Sequence, residues 1–231
     1  RTRPLNELCR ELSLPAPAGH PLFEGQYSPY GTLAMFPSGF AEAQPDWPSL
    51  ARMTGFPYFS TSAGDASTER LIETFLAAGE PPMVFALGSS AVNIAGDFYA
   101  TSASIARQLG QRAVLVYGQH ADQIKDIPLG DDILAVPYVA YDKLFAGASV
   151  IVHQGGIGTL AQAMRARKPM LVVPFGFDQP DNGLRIQRLG LGLTLSRESY
   201  RVDTALPQLR ELLFQVRYRQ QAETVGKQMA D

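Results

Sequence analysis

Residues 61–231 are expected to form a doubly wound α/β domain around a parallel sheet, and three observations carry that expectation. From about residue 82, short apolar runs of strand length alternate with stretches of helical spacing. The runs are apolar on both faces, as strands covered by helices on both sides must be. At 152–164 the chain reads VHQGGIGTLAQAM, an apolar run passing into a helical pattern through three glycines among four residues. Such a handover belongs to the edge of the sheet where the carboxyl ends of the strands face a ligand.

The elements follow in order. NELCREL (6–12) has helical spacing, and the stretch from Pro15 to Pro57 is rich in proline and glycine, with one strand-like run, TLAMF (32–36). QPDWPSL (44–50) and TGFPYFS (54–60) read as extended linker, because proline fixes its own φ and restricts its predecessor. Residues 1–60 are too thin in periodic elements to form a domain alone. MVFAL (83–87) is the first regular strand, followed by GSS and a helix across 97–109. AVLVY (113–117) and DILAV (132–136) come next, then a short helix near DKLF. SVIVH (149–153) enters the glycine stretch and a helix to about Arg167. MLVVP (170–174), a helix across 180–189 and LGLTL (191–195) complete the series, and helices at about 206–216 and 218–229 finish the chain.

Bulk properties narrow the function. The 231 residues are 45% apolar and 18% charged, ordinary for a globular protein with a sizeable core. A net charge of −2 without charged blocks argues against nucleic acid as a partner. Cys9 is the only cysteine, which fits a reducing, cytoplasmic setting. No apolar run approaches the roughly 18 residues of a membrane helix. Because Arg1 stands where an initiating methionine would, the chain is expected to be a piece of a longer protein.

Strand-to-helix loops of such a sheet open on one edge. Three of them are chemically loaded: GSSAVN (88–93), HQGGIGT (153–159) and PFGFDQPDN (174–182), with PYVAY (137–141) as a fourth. Glycine lets the backbone turn sharply and lets a ligand come close. A helix start adds unpaired N–H groups and partial positive charge, which together suit a phosphate. One helix start offsets only part of a diphosphate's charge. A second helix start at Ser89 and a donor from His153 would complete a cradle without metal. Three widely spaced histidines and one cysteine offer no metal cluster. His20 and His120 read as surface or loop residues, and Tyr138 as either a rim or a core aromatic. Asp178 or Gln179 followed by Pro180 is also good helix-start chemistry.

Two rival readings are weaker. GIGTLA (156–161) formally fits the dinucleotide fingerprint G-x-G-x-x-A, yet it follows roughly the fourth strand, not the first. Asp178 lies several residues beyond MLVV, away from the place of a ribose-binding acid. GSSAV (88–92) lacks the second glycine of a hydrolase nucleophile turn.

HQGGIGT followed after about twenty residues by PFGFDQPDN resembles the donor-binding signature of nucleotide-sugar glycosyltransferases of the GT-B fold. The likeness is to the large inverting family that includes UDP-glycosyltransferases, sterol glucosyltransferases and antibiotic glycosyltransferases. It covers residues 80–231 and corresponds to that family's C-terminal, Rossmann-like half. Residues 1–60 then look like the tail of the N-terminal acceptor domain and the interdomain linker, and 61–231 like the donor-binding domain. The resemblance implies that Ser89, His153, Gly155, Gly156, Gly158 and Thr159 hold or shape the donor diphosphate seat. It implies that Tyr138 stacks on the base and Val139 offers backbone groups to the pyrimidine edge. Asp178 and Gln179 match the pair that hydrogen-bonds the donor sugar, and Asn182 matches a motif asparagine of open role. Two positions depart from the plant pattern: Tyr141 stands where a glutamine is usual, and Ala161 where a ribose-binding glutamate is usual. The choice between UDP and TDP therefore does not follow.

In such enzymes an acceptor hydroxyl attacks the anomeric carbon and displaces the nucleoside diphosphate with inversion, needing neither cofactor nor metal. The family's general base lies in the acceptor domain, so no catalytic base is expected in this chain. The chain is expected to bind a UDP- or TDP-linked sugar, to be inactive alone towards small or lipophilic acceptors, and to self-associate through the face an acceptor domain would cover. A non-catalytic donor-binding subunit and a dinucleotide-binding oxidoreductase domain stand as alternatives.

Overall fold

The computed structural model describes residues 2–17, 19–20, 23–58 and 66–228. The chain divides into two compact units, Arg1–Pro57 and Tyr58–Asp231.

In the first unit, α1 (Arg3–Glu11) opens with Pro4 in its first turn, where a missing N–H costs nothing. Strand β1 (Thr32–Ala34) pairs in parallel with β2 (Ala51–Met53), Thr32 opposite Ala51. A small aromatic cluster supports them: the buried Phe40 meets Phe36 and Phe56, and Phe36 meets Trp47 edge-on. Strand β2 falls between the two stretches expected as extended linker, 44–50 and 54–60, where no strand signal was read in the sequence. Three residues between Pro48 and Pro57 are too few to show a period. Residues 59–60 of the second stretch lie outside the described residues.

The second unit opens with α2 (Ala66–Ala77), which the periodicity from residue 82 onward did not include. Its one buried residue is Ile72, so little of its apolar spacing registers. A six-stranded parallel sheet follows, made of β3 (Met83–Ala86), β4 (Ala113–Val116), β5 (Ile133–Val136), β6 (Val150–His153), β7 (Met170–Val172) and β8 (Gly192–Thr194). Their order is β5-β4-β3-β6-β7-β8. The helices are α3 (Gly88–Ala91), α4 (Phe98–Gln108), α5 (Tyr141–Ala146), α6 (Ile157–Arg165), α7 (Gln179–Arg188), α8 (Val202–Phe214) and α9 (Val216–Gln228). Helix α8 starts four residues before the expected 206 and carries Pro207 inside it. Residue 229, the expected end of the last helix, lies outside the described residues.

Side chains of a strand alternate between faces, and here the alternation sorts the helices. Met83, Phe85, Leu115, Val150, Val152 and Leu171 share one core cluster with Tyr99 and Ile105 of α4 and Leu209 and Leu212 of α8. Val84, Ile151, Met170 and Val172, equally buried, face the other way. There α5 packs on α6, and α6 on α9. Polar anchors fix the first layer. Tyr99 donates its hydroxyl to the Val116 carbonyl at 2.6 Å, and the Tyr200 hydroxyl meets Ser102 Oγ at 2.8 Å. Burial pushes both phenols well above the ordinary tyrosine range.

One consequence positions the site. Strands β3 and β6 are neighbours, with Ala86 opposite His153. The chain leaving β3 passes through α3 to α4 on one face, while the chain leaving β6 enters α6 on the other. Such a divergence opens a crevice at the carboxyl ends of the strands.

Candidate functional site: the carboxyl edge of the sheet

The β6-to-α6 turn is built from backbone constraints. Gly155 has φ +89, and a Cβ there would come within 2.6 Å of Val172 Cγ1 and 3.2 Å of the Gln179 carbonyl. Both conformation and space therefore require glycine. Its N–H donates to His153 Nδ1 at 3.0 Å, and its carbonyl accepts from Asn182 Nδ2 at 2.9 Å. Gly156 is the extended N-cap residue of α6 and supplies no side-chain cap. The first N–H groups of α6, at Ile157, Gly158 and Thr159, are thus left for an external acceptor. Gly158 is exposed, and a Cβ on it would meet nothing within 4 Å. Thr159 is buried in the same turn.

His153, expected at the donor diphosphate, is enclosed by the fold. The ring is fully buried, its Nδ1 accepts the Gly155 N–H, and its Nε2 lies 3.4 Å from Met170 Sδ. Burial pushes its pKa down to about 3, so the imidazole is neutral with the proton on Nε2. In this geometry the ring shapes the turn and offers no accessible N–H to a phosphate. The second expected helix start is also weaker than anticipated. Ser89 lies in the four-residue α3, followed by a single 3-10 turn over Val92–Ile94, and the long helix begins only at Phe98. Ser89 is exposed at the crevice, but one turn of helix contributes little dipole.

At β7 the loop folds back on α7. Gln179 is buried, and its Oε1 accepts from the backbone N–H groups of Phe175 (2.7 Å) and Gly176 (3.2 Å). That oxygen is committed to the loop, which leaves the Nε2 hydrogens as the part of Gln179 for the expected contact with a sugar hydroxyl. Asp178 is exposed, with Oδ2 accepting from Asn182 Nδ2 at 2.7 Å. The open role of Asn182 is thereby filled: one buried amide group ties the start of α7 to the glycine turn.

On the other side of β3 lies a cleft of about 340 Å³, lined by Gly88, Ser89, Asn93, His120, Tyr138 and Tyr141 among others. Tyr138 stands at its rim, 53% exposed, while Val139 is buried with its side chain turned inward. Tyr141 stacks on Phe145 at 4.5 Å, and burial pushes its hydroxyl up to about 12. His120, expected as a surface or loop residue, lines this cleft and meets Asn93 Oδ1 through Nε2 at 2.6 Å. The pair joins loops twenty-seven residues apart, a contact no local pattern could reveal.

The edge thus offers an aromatic-rimmed cleft over β5, β4 and β3, an uncapped helix start beside β6 and a carboxylate beyond β7. These stand in line. Four inter-strand steps from β5 to β7 span about 19 Å at some 4.8 Å per step. Among the described residues no group of His, Cys, Asp or Glu side chains could hold a metal ion. No described helix is long and apolar enough to cross a membrane.

Known proteins share this architecture. The solved glycosyltransferase of kitacinnamycin superposes with a TM-score of 0.76 at 20% identity, covering 99% of this chain and 57% of that one. The glycosyltransferase VinC, solved in complex with dTDP, gives 0.70 at 22% identity, covering 98% and 54%. In sequence, the chain is 34% identical over 146 residues to the O-mycaminosyltylonolide 6-deoxyallosyltransferase of Streptomyces fradiae, covering 63% of this chain and 33% of that protein. It is 30% identical over 152 residues to an uncharacterised glycosyltransferase of Mycobacterium tuberculosis, covering 66% and 36%. The chain spans about a third of the length of these relatives. The family model of the erythromycin biosynthesis protein CIII-like C-terminal domain matches residues 105–231. The chain therefore belongs to that family, and its fold is that of the C-terminal half of GT-B glycosyltransferases.

Proposed function

We propose that this chain holds the nucleoside diphosphate sugar for an inverting glycosyl transfer to a hydroxyl of a small or lipophilic acceptor. The observation that carries the reading is Gly158. Glycine in a helical turn costs about 1 kcal/mol against alanine, yet neither packing nor a positive φ calls for it here. Close approach of a ligand to the uncapped start of α6 explains it. In this arrangement the base stacks at Tyr138 beside the Val139 backbone. The diphosphate lies over Gly156, Gly158 and Thr159 within reach of Ser89, and the sugar hydroxyls meet Asp178.

The chemistry follows from that placement. As the acceptor oxygen bonds to the anomeric carbon, the bond from that carbon to the phosphate oxygen breaks and negative charge grows on the leaving diphosphate. The α6 N–H groups are fixed before reaction and stabilise that charge without reorganising. No metal is needed in this proposal. A general base takes the acceptor proton, and we assign it to the acceptor domain of the full enzyme, outside this chain. The chain alone then binds donor without transferring it at a useful rate. Self-association through the face an acceptor domain would cover, and a cytoplasmic location, belong to the same proposal. A strict monomer in light scattering at high concentration would count against the first.

Two of the solved neighbours are complexes with thymidine diphosphate, which makes TDP the first nucleotide to test. Calorimetric titration with TDP, UDP and NAD, without added metal, is expected to show micromolar to millimolar binding of a pyrimidine diphosphate. Binding of NAD in their place would make the turn a dinucleotide loop and overturn the reading.

A further inference from the structure

Gln154 stands at the crevice between β3 and β6, in the position next to His153. The residue is 5% exposed, and its carboxamide is wedged between the two glycine loops. A Cβ on Gly88 would come within 2.3 Å of its Nε2, and one on Gly156 within 2.7 Å. Both glycines thus make room for this group. Among the described residues, neither end of the carboxamide, Oε1 or the Nε2 donor, has a hydrogen-bond partner. A carboxamide brings two N–H donors and an oxygen with two acceptor sites. Burying one with unmet demands is unfavourable, and such groups persist where something outside the fold satisfies them. Had the space between Gly88 and Gly156 needed filling only, a methionine or leucine would fill it with no polar atom to satisfy.

We propose that Gln154 is a donor-binding residue whose carboxamide N–H bonds an oxygen of the diphosphate where it crosses from the β3 loop to the start of α6. It supplies the side-chain donor that the buried His153 ring does not. Its position is also the meeting point of the two loops, so the same group sets their separation to the size of the phosphate. This inference rests on the donor-binding reading above.

Gln154→Met separates the two roles, because it keeps length and bulk and removes the donor. TDP is titrated calorimetrically into the full 231-residue chain and its variant, and thermal unfolding is followed without ligand. The expected result is a Kd for TDP about tenfold weaker or more, with an unfolding temperature unchanged or raised. Equal affinity in the two proteins overturns the proposal and leaves Gln154 as a spacer. Absence of pyrimidine diphosphate binding in the unsubstituted chain overturns the donor reading itself, and this inference with it. Should the variant unfold early, the side-chain amide protons of Gln154 in the ¹⁵N-labelled unsubstituted chain decide. A downfield shift and slowed exchange with TDP, absent with thymidine, support the bond, and unmoved resonances overturn it.

Discussion

His153→Asn tests whether the ring at the end of β6 is buried in solution as the structure places it. Burial pushes the imidazole down to about 3, whereas in the unfolded chain it titrates near 6.5. The folded value is the lower one, so between the two the unfolded chain binds more protons and stability falls as pH falls. The slope approaches 1.4 kcal/mol per unit. Acidifying from about pH 6.5 to about pH 4.5 therefore removes roughly 2 kcal/mol. Asparagine does not titrate, and its Oδ1 can take the place of Nδ1 as acceptor of the Gly155 N–H. Carboxylates titrate in both proteins, so the difference between them isolates the histidine. The assay is urea unfolding followed by far-ultraviolet circular dichroism at several pH values. Trp47 fluorescence would report the other unit. The stability advantage of the unsubstituted chain should shrink by roughly 2 kcal/mol across that window. A difference constant within about 0.5 kcal/mol would refute the buried ring and restore a phosphate-facing His153.

Four further substitutions probe the same edge. Gly158→Ala should raise the stability of the free chain by about 0.5–1 kcal/mol while weakening TDP binding, and a loss of stability in the same unfolding assay would remove the argument from Gly158. Gly155→Ala should cost about 2–4 kcal/mol, from φ +89 together with the 2.6 Å approach to Val172; a loss below about 1 kcal/mol would mean that the turn relaxes freely. Asn182→Leu removes the bonds to Gly155 and Asp178 and leaves a buried carbonyl unpaired, for an expected cost of about 2 kcal/mol in denaturant titration. Tyr138→Ala should leave stability within about 0.5 kcal/mol yet weaken TDP about tenfold in calorimetry, with Tyr138→Trp restoring affinity.

The parts of this molecule that were legible in its sequence are those set by period and by φ. All six strands of the second unit fall within the apolar runs, because a strand buried on both faces is apolar at every position. The glycine turn was legible because positive φ and close approach leave few alternatives to glycine. Helix α2 was passed over because it buries only Ile72, and β2 because three residues show no period. Side-chain direction at the edge was the harder matter. Parity puts His153 on the face of Ile151, but not whether the ring reaches over the edge or packs beneath it. The structure decides through a distant neighbour, Met170 of the adjacent strand. Gln179 is similar: its sequence position suits a sugar contact, while its oxygen closes the loop four residues back.

These particulars share a physical cause. A crevice that grips a charged ligand must hold its polar groups still, and the cheapest anchors are other backbone groups of the same loops. His153, Gln179 and Asn182 each bond main-chain atoms of the turns they support. A motif side chain can therefore matter for ligand binding by fixing the backbone N–H groups without touching the ligand. The groups that remain unmet, the start of α6 and the carboxamide of Gln154, are where a ligand gains most, because their desolvation cost is already built into the fold. That separation predicts two kinds of variant: those at the anchors lower stability and affinity together, and those at the unmet groups lower affinity alone.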